Sequence, residues 1–312
     1  MHKTQSIIFP GQGSQEAHMG RDLAEHWSDA MELWKKAEQI SGLPLREIYW
    51  DQDEKAMAAT ENLQPALTVV NMNLWCFLTS RLRPGGVAGH SLGEFAALFA
   101  AGVLSAEQLL ELVSLRGRLM SECRNQDGHM AAVLRLSESQ VQALVHEAAT
   151  QTGLEIRIAN YNTPVQFVVS GHAQAVDHVR AAAKAIKGRG VPLPVSNAFH
   201  SPYMAEAEAE LAGYMDRLDW RDPSIPIYLN VTARPEPDGR ALCRAMKKQM
   251  TSSVLWTQSI RNQYEDGLRT FVELGPKGVL SRMIAPILKD KDDVAAVNIN
   301  TLEQTAQVDS LA

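Results

Sequence analysis

The sequence has little cysteine, few aromatic residues and no concentrated charge, and these shortages exclude several classes of protein. Among 312 residues there are three cysteines, Cys76, Cys123 and Cys243. An odd number at wide spacing offers neither a disulfide framework nor a zinc-ligand pattern, and suits reduced thiols in a cytoplasmic protein. No stretch approaches the roughly 18 consecutive apolar residues of a membrane span. The start, MHKTQSIIFPGQGSQ, holds an apolar run of only three residues, which is not a signal peptide. The net charge is −6 and there is no basic tract, so a nucleic-acid partner is not expected. Internal repeats and low-complexity tracts are absent as well. What is present is ordinary globular composition, 45% hydrophobic and 21% charged. That is enough chain for one large domain, or a large domain with a smaller one. A monomer is expected.

The pattern along the chain is that of an α/β protein. Ser6 to Phe9 reads as a short buried strand stopped by Pro10-Gly11. A helical pattern follows from about Met19 to Ile40, and a second from Glu61 to Leu82, stopped by Arg83-Pro84-Gly85-Gly86. Val87-Ala88, Ser91 and a small-residue helix from Leu92 to Ala101 then form a strand, a tight turn and a helix. Ser105 caps a further helix that runs to about Cys123. Between Gly128 and Asn197 the order becomes β-α-β-β-α-β, from HMAAVLRL, SESQVQALVHEAAT with Ser137 as cap, LEIRIANYN, VQFVVSG, HAQAVDHVRAAAKAIKG closed by Gly188, and VPLPVS. That is the ferredoxin-like order, read as a small domain (128–197) inserted into a larger one (1–127 and 198–312). Ser201-Pro202 opens a helix where the large domain resumes. IPIYLNV, FVELG and AAVNI supply further strands of a mostly parallel sheet.

Gly89-His90-Ser91-Leu92-Gly93, between strand and helix, is the nucleophile-elbow pattern. Such a turn lifts a serine hydroxyl above the sheet and aims helix N–H groups at it. The plainer alternative is a structural turn serine. A serine nucleophile needs a base, and five histidines follow Ser91: His129, His146, His172, His178 and His200. His200 is favoured, because it leads a capped helix where the chain re-enters the large domain; the alternative there is a packing role. Leu109, Leu112, Val113, Arg116 and Met120 share one helical face, apolar but for the arginine, while Arg118 lies on the polar side. A buried guanidinium needs an anion. Either a structural carboxylate or a ligand carboxylate can supply it, and planar bidentate geometry suits the ligand. PGQGSQ lacks the lysine of a P-loop and the full GxGxxG pattern. It reads either as a simple glycine turn or as a donor loop in which the Gln12 N–H joins that of Leu92 in an oxyanion hole.

Taken together, these segments resemble the malonyl-CoA:acyl carrier protein transacylases and the acyltransferase domains of fatty acid and polyketide synthases. The resemblance covers nearly the whole chain through FPGQGSQ (9–15), LQPAL (63–67), GHSLGE (89–94), RGRLM (116–120), MAAV (130–133), IANYNTP (158–164), VSGH (169–172), AFHSPYM (198–204), NVTA (230–233), VLWTQSI (254–260) and ELGPKGVL (273–280). It implies a hydrolase-like core carrying an inserted ferredoxin-like domain. Ser91 resembles the acylated nucleophile, His200 its base, and Arg116 the residue that holds the malonyl carboxylate. The N–H groups of Gln12 and Leu92 resemble the oxyanion hole. A main-chain carbonyl matching Gln249 replaces the carboxylate of a triad. His90, Met120 and Phe199 fall in the substrate pocket, and Phe199 matches the pattern for small malonyl groups.

The implied reaction is ping-pong transfer of malonyl from malonyl-CoA, through a malonyl-serine, to the phosphopantetheine thiol of acyl carrier protein. It needs no metal and no bound cofactor. Carrier proteins are acidic, so docking needs a local basic patch. Residues 128–197 hold six Lys/Arg against four Asp/Glu, and Lys184, Lys187 and Arg189 are its best-clustered candidates; a solvated helix end is the plainer reading. Alternatives are a trans-acting polyketide synthase acyltransferase, a carrier-protein acyl hydrolase, which has no use for Arg116, and a non-catalytic carrier-binding module, which has none for Ser91 and His200.

Overall fold

The computed structural model describes residues 4–51, 54–123, 127–195 and 197–311. Its strands are β1 (Thr4–Phe9), β2 (Pro84–Gly89), β3 (Gly128–Leu134), β4 (Ile156–Thr163), β5 (Gln166–His172), β6 (Arg189–Pro192), β7 (Ile227–Tyr228), β8 (Leu268–Leu274) and β9 (Ala295–Ile299). They form two sheets. The larger has the order β7-β2-β1-β8-β9, with every pairing parallel. Both of its faces are covered, which is why its strands read as continuous apolar runs. Ile7, Phe9, Val272 and Leu274 point into one core, with the helices Ser28–Ser41, Thr60–Leu78 and Ala106–Glu122. Ile8, Ala88 and Phe271 point into the other, with Trp256–Glu265 and Ser281–Ile287.

The smaller sheet has the order β4-β5-β3-β6 and is antiparallel throughout. Two capped helices cover one face. Glu138–Thr152 starts at the Ser137–Gln140 capping box, and Ala173–Ala185 starts at His172, whose Nδ1 accepts from the Gln174 N–H. Ala131, Val133, Phe167 and Val169 pack beneath them in a separate core. The alternate residues Met130, Ala159 and Val168 join the core of the large sheet. A backbone ladder, Tyr161 N–H to Val254 O at 2.9 Å and Val254 N–H to Ala159 O at 2.8 Å, joins the two sheets' surroundings. The fold is thus mixed α/β, with a parallel sheet and a separate antiparallel one.

Several elements depart from the sequence pattern for local reasons. The expected helix from Met19 to Ile40 is two, Arg21–His26 and Ser28–Ser41, divided at Trp27, whose backbone is extended. The Thr60–Leu78 helix ends early, and Pro84 and the glycines after it open β2 instead of only stopping a helix. Proline is tolerated at a strand's first position. IPIYLNV pairs only at Ile227–Tyr228, because Asn230 turns away to bind the elbow. The last strand of the small sheet begins two residues before VPLPVS and stops at Pro192, since Pro192 and Pro194 cannot donate to a ladder; Ser196 of that segment lies outside the described residues. Gly188 does not itself turn the chain. Lys187 takes the left-handed conformation (φ 66°), and Gly188 is small because a Cβ there would lie 2.6 Å from the Leu136 side chain. Ser201-Pro202 opens a 3-10 turn, Pro202–Met204, ahead of the helix Ala205–Met215.

Candidate active site

Leaving β2, the chain turns sharply at Ser91 and enters the helix Gly93–Ala100. Ser91 has φ 49°, a left-handed conformation that a non-glycine residue adopts only under constraint. Two glycines permit the turn. A Cβ on Gly89 would fall 1.9 Å from the Gly93 carbonyl carbon, and one on Gly93 would fall 1.9 Å from the Phe9 oxygen. The turn's peptide groups are held from outside. The Ser91 N–H donates to Asn230 Oδ1 at 2.7 Å, and the Ser91 carbonyl accepts from Gln249 Nε2 at 2.8 Å.

The Ser91 hydroxyl lies 2.8 Å from His200 Nε2. His200 is buried and also left-handed (φ 57°). Its Nδ1 faces two main-chain carbonyls, Gln249 at 3.1 Å and Ser252 at 3.0 Å. Both can only accept, so Nδ1 carries the proton and Nε2 is free to take one from Ser91. Among the described residues no carboxylate completes a triad; the orienting group is a pair of carbonyls. Burial, then the positive charge of Arg116 and the neighbouring His90, push the His200 pKa down to about 3. The imidazole is therefore neutral near pH 7, as a base must be.

Arg116 is 1% exposed and lies on the helix Ala106–Glu122. Its Nη1 donates to Gln64 Oε1 at 2.5 Å, and its Nη2 to Gln249 Oε1 at 3.1 Å and to the Ser91 hydroxyl at 3.3 Å. The guanidinium sits over the Phe95 ring at 5.3 Å. These partners are neutral. Buried Glu94 acts on Arg116 through the field without contacting it, and burial lowers the arginine pKa to about 10. The Arg116 Nε–H and the Gln64 amide nitrogen have no partner among the described residues. A cation with spare donors thus stands beside the serine hydroxyl. Arg118, two residues on, is exposed and pairs with Glu122 and Glu210 at 3.8 Å.

The Ser91–His200 pair opens into a cleft of about 240 Å³ lined from both sheets. The large sheet's side contributes Gln12, His90, Met120 and Phe199, and the small sheet's side contributes Met130, Asn160 and Asn162 among others. The N–H groups of Gln12 and Leu92 donate to no acceptor among the described residues. Leu92 N lies 3.4 Å from where a Gly11 Cβ would stand, so the PGQGSQ loop and the elbow touch. His90 is turned away from catalysis: its Nε2 bonds Asn162 Oδ1 at 2.8 Å and its ring meets Trp256 edge-on. The Asn197 amide holds the Met120 carbonyl at 2.9 Å, anchoring the loop that carries Phe199 and His200.

Of the residues named from sequence, Gln12, His90, Ser91, Met120, Phe199 and His200 line one cleft, and Arg116 and Gln249 bond Ser91 beside it, while Lys184, Lys187 and Arg189 are exposed outside the cleft lining. Four polar residues that hold them were missed. Gln64 is a polar side chain in a helix whose residues are otherwise mostly buried apolar ones, which is a usable signal. Glu94 is 0% exposed yet lies in the first turn of a helix, where a carboxylate usually faces water. Asn230 and Ser252 lie in irregular segments, with no periodicity to point inward. Among the described residues, no group of His, Cys, Asp and Glu could hold a metal ion, and no helix is long and apolar enough to cross a membrane.

Comparison with known proteins agrees with this geometry. The acyl transferase domain family matches residues 7–308. The malonyl CoA-acyl carrier protein transacylase of Staphylococcus aureus is 36% identical over 305 residues, 97% of each chain. The crystal structure of a malonyl-CoA:acyl carrier protein transacylase from Xanthomonas oryzae superposes with a TM-score of 0.92 at 35% identity, covering 99% of this chain and 98% of that one. A malonyl-transacylase solved in complex with its type II polyketide synthase acyl carrier protein gives 0.93 at 29% identity, covering 99% of this chain and all of that one. With a serine on an elbow, a neutral histidine against it and a buried arginine at hand, the chain belongs to the malonyl-CoA:acyl carrier protein transacylase family and is an acyltransferase.

Proposed function

We propose that the protein moves malonyl from malonyl-CoA to the phosphopantetheine thiol of an acyl carrier protein, through an ester on Ser91, to supply fatty acid synthesis. The observation that carries this is Arg116: a buried cation, held by amide oxygens and not by a carboxylate, 3.3 Å from the Ser91 hydroxyl. Malonyl has a carboxylate one methylene away from its thioester carbonyl, and that charge can occupy Arg116's spare donors while the carbonyl meets Ser91. His200 Nε2 takes the serine proton as the hydroxyl attacks. The Gln249 and Ser252 carbonyls stabilise the imidazolium that results. The N–H groups of Gln12 and Leu92 receive the oxyanion. As the tetrahedral intermediate collapses, His200 returns the proton to the departing CoA sulfur. In the second half His200 accepts the proton of the carrier thiol as the sulfur attacks the ester carbonyl, then returns it to the Ser91 oxygen as the C–O bond breaks, leaving malonyl-carrier protein and free Ser91.

The substrate assists its own base. Arg116 is the second cause holding His200 down, after burial. A bound malonyl carboxylate neutralises that charge and makes His200 a stronger base while the substrate is in place. The steps written here call for neither a metal nor an organic cofactor. The exposed Lys184, Lys187 and Arg189 form the surface offered to the acidic carrier protein. The three unpaired cysteines suit the cytoplasm. The test is incubation of the purified protein with malonyl-CoA and a holo carrier protein, following malonyl-carrier and free malonate together. Free malonate as the main product would mean hydrolysis and sink the proposal.

A further inference from the structure

We propose that Glu94 is a positioning residue, whose two carboxylate oxygens hold the amides of Asn230 and Gln249 that clamp the strained Ser91 and aim Gln249 at Arg116. The proposal rests on the reading of Ser91 and Arg116 above. Glu94 Oε1 accepts from the Asn230 backbone N–H at 2.6 Å, and Oε2 from Gln249 Nε2 at 2.9 Å. Those two residues take opposite sides of Ser91. Asn230 Oδ1 accepts the Ser91 N–H at 2.7 Å, with its own amide nitrogen anchored on the Gly89 carbonyl at 2.6 Å; Gln249 Nε2 donates to the Ser91 carbonyl at 2.8 Å. Ser91, Asn230, Glu94 and Gln249 close a ring of hydrogen bonds around a residue at φ 49°.

The chemistry of the ring fixes its polarity. A carboxylate only accepts, and so does the Ser91 carbonyl. Both require the amino end of Gln249, which leaves its carbonyl end for Arg116 Nη2 at 3.1 Å. Arg116 only donates, so every partner in the chain is matched in one orientation of the Gln249 amide. Turning the amide over would set donor against donor at Arg116 and acceptor against acceptor at Glu94. The same logic requires the ionised carboxyl, because a protonated oxygen cannot accept at both positions without conflict. Burial pushes the Glu94 pKa up to about 7, opposed by the hydrogen bonds of Asn230 and Gln249 and by the charge of Arg116. The ring should therefore loosen as pH falls through about 7, a range in which His200 is still uncharged.

Three full-length proteins test this: the wild type, Glu94→Gln and Asn230→Ala, each checked for native melting behaviour. Self-acylation is measured with malonyl-CoA and acetyl-CoA, and Ser91 labelling with a fluorophosphonate from pH 5 to 8. Glu94→Gln keeps shape and removes one acceptor. It is expected to slow malonyl acylation about 100-fold, the scale of a misplaced reacting group, and to lower the malonyl-to-acetyl ratio because Arg116 loses its aim. Asn230→Ala removes the side-chain bonds to the Ser91 N–H and the Gly89 carbonyl but keeps the backbone N–H on Glu94 and leaves Gln249 in place, so both acyl groups should slow together at an unchanged ratio. Wild-type labelling should fall as pH drops through about 7, and Glu94→Gln should lack that limb. A folded Glu94→Gln with wild-type ratio and pH profile overturns the proposal. If that variant fails to fold, wild-type labelling that stays level from pH 8 to 5 overturns it too. The fluorophosphonate does not depend on the acyl donor. A wild type that labels at Ser91 but accepts no malonyl would refute the proposed function and leave the clamp standing on its pH profile.

Discussion

Replacing Arg116 by alanine should convert a malonyl transferase into a poor acetyl transferase. The side chain is fully enclosed and beside the reacting hydroxyl, so its pair with a substrate carboxylate forms largely out of water. Breaking such a buried pair by removing one partner costs about 3–5 kcal/mol. At about 1.4 kcal/mol per decade, that is roughly 140- to 3,700-fold in kcat/KM for malonyl-CoA. Acetyl-CoA has no carboxylate to offer the buried guanidinium, whose Nε–H has no partner among the described residues. Removing the cation lifts one of the causes that depress His200, so acetyl transfer should hold or rise. The void is a complication, since Gln64 and Gln249 each lose a donor. Arg116→Met, which keeps most of the volume, separates charge from packing. The assay is stopped-flow or quenched acylation of Ser91 with each thioester, with thermal melting in parallel. Equal losses for malonyl and acetyl in both variants would show that Arg116 only supports the fold.

Mass spectrometry after malonyl-CoA treatment should place the acyl group on Ser91, and a Ser91→Ala protein labelled at the wild-type rate would remove it as the nucleophile. His200 should destabilise the fold in acid. Its folded pKa lies below the unfolded value of about 6.5, so its contribution is complete above pH 6.5 and is lost as pH falls toward about 3, at about 1.4 kcal/mol per pH unit. His200→Asn should flatten that part of a denaturant-derived stability profile between pH 6 and 4; an unchanged slope would contradict the burial of a neutral imidazole. Gly93→Ala should cost more than about 3 kcal/mol, because its Cβ would strike the β1 backbone and not a flexible side chain; a melting temperature within a few degrees of wild type would show that the elbow can shift.

What the sequence showed of this site follows the physics of its parts. Periodicity exposed Arg116, because one charge on an otherwise apolar helical face has no solvated alternative. Glycine spacing exposed Ser91, because a turn this tight excludes a Cβ at Gly89 and Gly93. The parallel strands were visible as short apolar runs, and the antiparallel sheet as a β-α-β-β-α-β order. Element ends were less visible where tertiary contacts decide them, as at Trp27, whose neighbours' helical propensity does not reveal a break, and at Pro84, which opens a strand. The supports of the site were least visible of all. Gln249 was singled out for its carbonyl on His200, yet its side chain binds Ser91, Glu94 and Arg116 at once. An amide contributes no hydrophobic pattern, and its partners lie more than 130 residues away in the chain. Its function exists only as a set of directions in the folded state: donor to one side, acceptor to the other. Glu94 adds the reason those directions are fixed, since a group that can only accept determines which way every amide around it must face.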